Sequence, residues 1–150
     1  MKFFETGKKD DYTIIIGCGR LGADLANSLS NEGEDVLIMD ENKESFRRLA
    51  SNYGGLSVVG SGTDLDKLRE AQIDRANAVI AVTNDDNVNI MIAQMARSLF
   101  NVERVIARLY DSECEIVYKE LGIDTICPAA LSAKEIDKLL GMSSDEEVIS

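Results

Sequence analysis

The chain has 150 residues and a net charge of −11, and 45% of its residues are hydrophobic. That apolar content excludes a disordered chain and suits one α/β domain with a core of its own. The acidic balance argues against nucleic acid or an anionic membrane surface as a partner. No apolar stretch reaches the ~20 residues that cross a bilayer. The sequence has no histidine and only three scattered cysteines, so we expect no metal site, and free thiols in a reducing cytoplasm.

The first feature along the chain is a glycine turn between a strand and a helix. The apolar run Tyr12–Ile16 predicts a strand, and a helical pattern that ends at Gly33 follows the turn. The spacing G-x-G-x-x-G lies between them, in Gly17, Cys18, Gly19, Arg20, Leu21 and Gly22. A second apolar run then closes on Asp40. Strand, glycine turn, helix, strand and acid together predict dinucleotide binding.

Each residue of this pattern has a physical task. Gly17 allows a tight turn, Gly19 lets a pyrophosphate approach the backbone, and Gly22 lets the helix pack on the strand. The free N–H groups at the start of the helix face the phosphates. Asp40 accepts hydrogen bonds from ribose hydroxyls and repels a 2′-phosphate, which disfavours NADP. The alternative is a tight turn with no ligand.

The remaining elements continue the alternation of strands and helices. We expect helices over residues 42–52, from 63 or 64 to 70, and over 85–100, 112–121 and 128–140. In the first of these, Phe46, Leu49 and Ala50 form the predicted buried stripe. We expect strands over residues 56–59, 76–82, 104–109 and 124–127, the second of them buried on both faces. This alternation predicts a doubly wound, parallel six-stranded sheet of Rossmann type, with order 3-2-1-4-5-6 and helices on both faces.

Six segments of the chain resemble one known family. They are IIGCGRLG (15–22), VLIMD (36–40), VVGSGTD (58–64), AVIAVTNDDNVN (78–89), VIARLYD (105–111) and LGIDTICP (121–128). Together they resemble the N-terminal nucleotide-binding domain of bacterial Trk and Ktr potassium-transport regulators, also called the KTN or RCK N-terminal domain. The resemblance covers residues 11–140. It therefore predicts an extension over residues 1–10 and a frayed acidic tail over residues 141–150.

The resemblance implies regulation and no catalysis. Family members bind NAD(H), ATP, ADP or AMP, assemble as dimers or rings, and control a potassium transporter from the cytoplasmic side of the membrane. The implied nucleotide-binding residues are Gly17, Cys18, Gly19, Arg20, Leu21, Gly22, Asp40, Glu41, Gly60, Ser61, Gly62, Thr63, Thr83, Asn84 and Arg108. Among them the glycines cradle phosphate, Arg20 reaches the terminal phosphates or a partner subunit, and Asp40 holds the ribose.

Two departures from the family pattern stand out. Ser61 replaces the aspartate that is usual in G-D-A-T, which removes one charge near the adenine. Many members continue into a C-terminal ligand-binding domain where this chain stops, so the resemblance implies either a natural short form or an expressed fragment.

Several residues have a second interpretation. Arg20 suits a solvated surface as well as a phosphate. Arg108, inside an apolar strand, predicts either a ligand or intersubunit role or a structural pair with an acid such as Asp111. Cys18 lies beside a helix N-terminus, which would lower its pKa and suit a redox sensor, but a small filling residue is the simpler interpretation.

The segment 85–100 also has two interpretations. Its acids Asp85 and Asp86 suit a helix cap better than a cation site. Its apolar arc is wider than packing on a sheet requires, which favours a subunit contact.

The competing function is an NAD-dependent oxidoreductase, and a general nucleotide-binding module is a third possibility. A dehydrogenase needs a proton-transfer group beside the nicotinamide. The chain has no histidine, and Tyr53, Tyr110 and Tyr118 fall outside the ends of strands 4 and 5. We therefore expect a regulator that is not an enzyme.

Overall fold

A computed structural model describes residues 11–111 and 113–142 of the chain. The strands are β1 (Tyr12–Ile16), β2 (Asp35–Asp40), β3 (Leu56–Val59), β4 (Ala78–Ala81), β5 (Arg104–Arg108) and β6 (Asp124–Ile126). The α-helices are α1 (Arg20–Asn31), α2 (Leu65–Glu70), α3 (Asp86–Ser98), α4 (Glu115–Glu120) and α5 (Pro128–Leu139). Two 3₁₀ helices cover Lys43–Arg48 and Ile73–Arg75.

The sheet is parallel throughout and has the order β3-β2-β1-β4-β5-β6. This confirms the predicted Rossmann-type fold. The order reverses between β1 and β4, so the loops after β1 and β4 diverge there and leave a crevice at the carboxyl edge of the sheet.

Both faces of β1 are buried, because successive residues of a strand point to opposite sides. Ile14 and Ile16 pack in a core with Ile92 of α3. Ile15 packs on the other side against Ala23 and Ala26 of α1. The central strand is thus covered on both faces, and it holds the glycine turn on a rigid base.

The helix predicted over residues 42–52 is wrong in type and length, since only Lys43–Arg48 is helical and it is 3₁₀. Phe46 and Leu49 do pack against the α1 side of the sheet, but Ala50 is exposed. The helical conformation ends at Arg48 because a residue of α1 binds the following backbone. The N–H of Ala50 donates to Oδ1 of Asn27 at 3.0 Å.

The prediction that β4 is buried on both faces is also wrong. Val79 and Ala81 are buried on the side of α3, whereas Ala78 and Ile80 on the other side are only half-buried. Ile80 lies opposite Ile106 of β5, which is half-buried as well. The difference arises because α1 packs on β1 and β2 and leaves this part of the sheet partly open.

The end of the described chain exposes apolar side chains. Ile116 of α4 is 74% exposed and Leu139 of α5 is 80% exposed. Helix α4 begins at Glu115, later than predicted. The predicted extension over residues 1–10 and most of the predicted tail (143–150) lie outside the described residues. None of the helices in the described ranges has the length and apolar character that a bilayer crossing requires.

Candidate functional site

A cavity of about 460 Å³ opens at the carboxyl edge of the sheet, above the ends of β1, β2, β3 and β4. Its volume lies in the range of pockets that hold small molecules and cofactors. Ten of the predicted site residues line it: Gly17, Cys18, Gly19, Asp40, Glu41, Gly60, Ser61, Gly62, Thr83 and Asn84. Two smaller cavities of about 260 and 290 Å³ lie at the opposite edge of the sheet, away from these residues.

The three glycines of the turn have different surroundings. Gly17 has φ +113°, and a Cβ there would lie 2.7 Å from the carbonyl oxygen of Val82. A Cβ on Gly22 would lie 1.8 Å from the carbonyl oxygen of Gly17. A Cβ on Gly19 would meet no atom within 4 Å. The fold therefore requires glycine at the first and last positions, whereas the middle position is open toward the cavity.

Asp40 lies at the mouth of the cavity in a fixed orientation. Its Oδ2 accepts the N–H of Cys18 and its Oδ1 accepts the N–H of Asn42, both at 2.8 Å. These bonds tie the end of β2 to the glycine turn. A carboxylate has about four acceptor sites, so two bonds leave acceptor capacity for a ligand.

The surroundings of Cys18 fit the simpler interpretation, a small filling residue, better than a redox sensor. Burial raises its pKa above the ordinary value, and the neighbouring Asp40 carboxylate raises it further, while Arg48 acts in the opposite direction. The thiol is fully buried and donates to the carbonyl oxygen of Ser45 at 3.3 Å. Sequence reasoning expected the helix N-terminus to lower the pKa of Cys18, and that expectation is wrong, because burial and the Asp40 carboxylate raise this pKa.

The loop after β3 is held by its own side chains. The hydroxyl of Ser61 lies 2.8 Å from that of Thr63, and it accepts the N–H of Thr63 at 3.1 Å. A Cβ on Gly62 would lie 2.6 Å from the side chain of Ile16. This loop therefore passes close to the core. Where the family usually has an aspartate, Ser61 places a hydroxyl at the wall of the cavity, and that hydroxyl is hydrogen-bonded to Thr63 of the same loop.

Asn89 of α3 holds the opposite wall of the cavity and is fully buried. Its Oδ1 accepts the N–H and the hydroxyl of Thr83 at 2.8 and 2.7 Å. Its Nδ2 donates to the carbonyl oxygens of Thr83 and Arg108 at 3.1 and 2.8 Å. One side chain thus ties the end of β4 to the end of β5. The spacing T-N-D-D-x-x-N contained this signal, but sequence reasoning assigned Asn89 no role.

Arg108 supports the same loop from outside the cavity lining. Its Nη2 donates to the carbonyl oxygens of Val82 and Thr83 at 2.9 and 3.0 Å, and its guanidinium lies 5.8 Å from the ring centre of Tyr110. Among the described residues its buried Nε has no hydrogen-bond partner. The guanidinium therefore bonds to backbone carbonyls, whereas sequence reasoning left open a ligand or intersubunit role and a structural pair with an acid such as Asp111.

The two acids at the start of α3 have separate tasks. Asp85 is the N-cap residue, and its Oδ1 accepts the N–H of Val88 at 3.2 Å, which confirms the predicted cap. Asp86 accepts the N–H groups of Tyr110 and Asp111, at 2.9 to 3.1 Å. Asp86 therefore joins α3 to the segment after β5.

Five predicted site residues do not line the cavity: Arg20, Leu21, Gly22, Thr63 and Arg108. Arg20 is exposed at the first position of α1, and Leu21 packs on the core under that helix. Sequence reasoning in turn missed eight lining residues at or beyond the ends of β1, β2 and β4, namely Ile16, Met39, Asn42, Ser45, Arg48, Val82, Asp85 and Val88. Their position at or beyond a strand end was the available signal.

The fold and this cavity define a Rossmann-type domain with a glycine turn and the carboxylate of Asp40 at the crevice. The family model of the TrkA-N domain matches residues 13–128. The chain belongs to the TrkA-N domain family.

Relatives and solved structures agree with this membership. The chain is 44% identical to the Trk system potassium uptake protein TrkA of Streptomyces coelicolor over 135 residues, which cover 90% of this chain and 60% of that protein. A structure of GsuK bound to ADP is 28% identical, with a TM-score of 0.73, and is matched over 91% of this chain and 35% of that one. The NAD(P)-binding domain of an exopolyphosphatase-related protein from Archaeoglobus fulgidus is 26% identical, with a TM-score of 0.70, over 89% of this chain and 100% of that one.

Proposed function

We propose that this chain is the nucleotide-sensing domain of a bacterial potassium transport system. In this proposal residues 11–140 form the domain, which binds NAD(H) or ATP, ADP or AMP and gates a Trk- or Ktr-type membrane subunit from the cytoplasmic side. The observation that carries the proposal is the open position at Gly19, which faces the cavity beside the fixed carboxylate of Asp40.

The geometry supports a specific placement of the nucleotide. Gly19 is the N-cap residue of helix α1, which has no side-chain cap and no acid in its first turn, so its free N–H groups and positive dipole end suit phosphates. The ribose fits at Asp40. The adenine then lies between the loop after β3, at Ser61, and the 3₁₀ helix that carries Ser45 and Arg48.

The relatives support an adenine nucleotide and a potassium system. One solved relative is GsuK bound to ADP and another is an NAD(P)-binding domain. A relative found by sequence is a Trk system potassium uptake protein. This chain spans about 60% of that last protein's length, so the activity of the whole protein enters here as a proposal.

The cavity favours regulation over the competing oxidoreductase. Among the residues described, the lining contains no lysine or tyrosine side chain, and the sequence has no histidine. The hydroxyl of Thr83 is engaged with Asn89 at 2.7 Å. A hydride-transfer reaction would lack the usual group that exchanges the proton.

We further propose that the chain assembles as a homodimer or a higher ring. Two regions offer apolar surface to a second copy. One is the partly open face of β4 and β5, at Ile80 and Ile106, and the other is formed by the exposed side chains of Ile116 and Leu139. Single exposed apolar residues are common, but a run of them along α4, β6 and α5 is typical of an interface. Light scattering is expected to give at least a dimer, and a monomer at high concentration would contradict this.

The decisive experiment measures reconstituted potassium flux with and without this protein, at varied ATP, ADP, NAD⁺ and NADH. We expect nucleotide-dependent flux and a change in nucleotide affinity on adding the membrane subunit, because coupling between two binding sites is reciprocal. Flux that does not respond to any nucleotide, together with steady NADH oxidation of a small carbonyl compound, would support the oxidoreductase instead.

A further inference from the structure

The side chains that line the cavity carry more negative than positive charge. Three carboxylates, those of Asp40, Glu41 and Asp85, line it against the single guanidinium of Arg48. The two arginines that sequence reasoning placed there lie elsewhere: Arg20 is exposed outside the lining, and Arg108 is bonded to carbonyl oxygens behind it. Acidic side chains therefore outnumber basic ones around the ligand.

The three carboxylates lie on two sides of the cavity. Asp40 ends β2 and Glu41 follows it, on the side assigned to the adenosine. Asp85 lies across the switch point, in the loop after β4. Of the two acids there, Asp86 is turned toward the N–H groups of Tyr110 and Asp111. Asp85 is exposed at the cavity wall, and its Oδ1 accepts the N–H of Val88, while its Oδ2 has no hydrogen bond to any residue that the structure describes.

A dinucleotide in this fold lies across the switch point, with its two nucleosides on opposite halves of the sheet. With the adenosine at Asp40 and the pyrophosphate on the glycine turn, the second nucleoside lies over the loop at Thr83 and Asp85. Oxidised nicotinamide carries a positive charge there, and reduced nicotinamide is neutral. A carboxylate stabilises the first more than the second.

From this arrangement we propose that Asp85 makes the cavity select NAD⁺ over NADH. The proposal rests on the proposed function, since it requires that the cavity binds an adenine dinucleotide. The domain would then report the oxidation state of the nicotinamide pool, and Asp85 would be its specificity-determining residue.

The test is isothermal calorimetry with NAD⁺ and NADH on the wild-type chain and on Asp85→Asn. Asparagine keeps the acceptor that caps α3 and removes the charge, so thermal melting is expected to stay unchanged. A matched control is Asp64→Asn, the same exchange at the N-cap of α2, where the carboxylate accepts the N–H groups of Asp66 and Lys67 outside the cavity lining.

We expect the wild-type chain to bind NAD⁺ about fivefold more tightly than NADH at low ionic strength, because one charge pair acts across a solvated cavity. The ratio falls below about twofold in Asp85→Asn and in high salt, which screens exposed charges. Asp64→Asn keeps the wild-type ratio.

Equal affinities for NAD⁺ and NADH in the wild-type chain, or an unchanged ratio in Asp85→Asn, would overturn this inference alone. A wild-type chain that binds neither dinucleotide nor ATP or ADP would overturn the proposed function as well.

Discussion

The two halves of the carboxyl edge of the sheet use their polar groups in opposite ways. On the half formed by β1, β2 and β3, Gly19 is bare toward the cavity and Asp40 keeps acceptor capacity. On the half formed by β4 and β5, Thr83, Asn89 and Arg108 bond to one another and to the backbone. The first half therefore leaves space for a ligand, whereas these side chains of the second half hold two strands together.

The largest expected effect distinguishes nucleotide binding from fold stability at two glycines of the turn after β1. Gly19→Val is expected to abolish nucleotide binding without lowering the melting temperature, because Gly19 has extended backbone (φ −86°, ψ −161°) and open space at its Cβ. Gly22→Val is expected to destabilise the fold by roughly 3 kcal/mol, since overpacking against the backbone of Gly17 has no room to relax. Calorimetry and thermal melting check both. Undiminished nucleotide affinity in Gly19→Val would show that the turn does not hold the phosphates.

The next effect concerns the second half. Asn89→Leu keeps the size of the side chain but removes its four hydrogen bonds, so we expect a loss of roughly 3 kcal/mol in unfolding free energy from buried groups left unpaired. Chemical denaturation measures it. Asn87→Leu, an exposed position on the same helix, is the control and is expected to lie near the wild type. If the two variants were equally stable, the bonds of Asn89 would not be what joins β4 to β5.

A smaller effect tests Asp40 as a ligand group. Asp40→Ala is expected to weaken NAD⁺ binding, with roughly 1.5–3 kcal/mol for each lost charge-assisted hydrogen bond. It is also expected to narrow the preference of the wild type for NAD⁺ over NADP⁺, since the repulsion of the 2′-phosphate is removed. Titration with both dinucleotides measures this, with Asp24→Ala as control, because Asp24 is an exposed acid of α1 outside the cavity lining. A wild-type chain that prefers NADP⁺ would mean that the carboxylate does not contact the ribose.

The smallest effect is a difference in thiol reactivity. Because the pKa of Cys18 is raised by burial and by Asp40, its thiol stays protonated to higher pH, and alkylation is expected to start at a more alkaline pH than usual for a cysteine. Mass spectrometry after iodoacetamide treatment is expected to find Cys114, which is exposed, modified first. Asp40→Asn is expected to move the profile of Cys18 toward lower pH. Fast labelling of Cys18 at neutral pH would contradict the burial argument.

Sequence reasoning reached the strand order and the glycine turn because both depend on local patterns: the spacing of apolar residues, and backbone angles that only glycine adopts easily. It failed where a contact with a residue distant in sequence determines the local conformation. The segment after Asp40 stops being helical because Asn27 captures Ala50, and no pattern within 42–52 contains that information.

The same limit applies to the site. Gly17 and Asp40, predicted from the local pattern of strand, turn and helix, line the cavity. Arg20 and Arg108 do not line it, because the direction of a long side chain depends on its neighbours. Arg108 donates to the carbonyl oxygens of Val82 and Thr83, whereas Arg20 has no such partner among the described residues and is exposed on the surface of α1.

The contact between Gly22 and the carbonyl of Gly17 also constrains how this domain moves. No space for even one Cβ remains at this contact, so α1 cannot slide along β1. The helix, the turn and the central strand therefore move as one rigid body. Any displacement that follows a change of ligand would therefore occur in the elements around this body, and helix α1 would serve as the fixed frame against which they move.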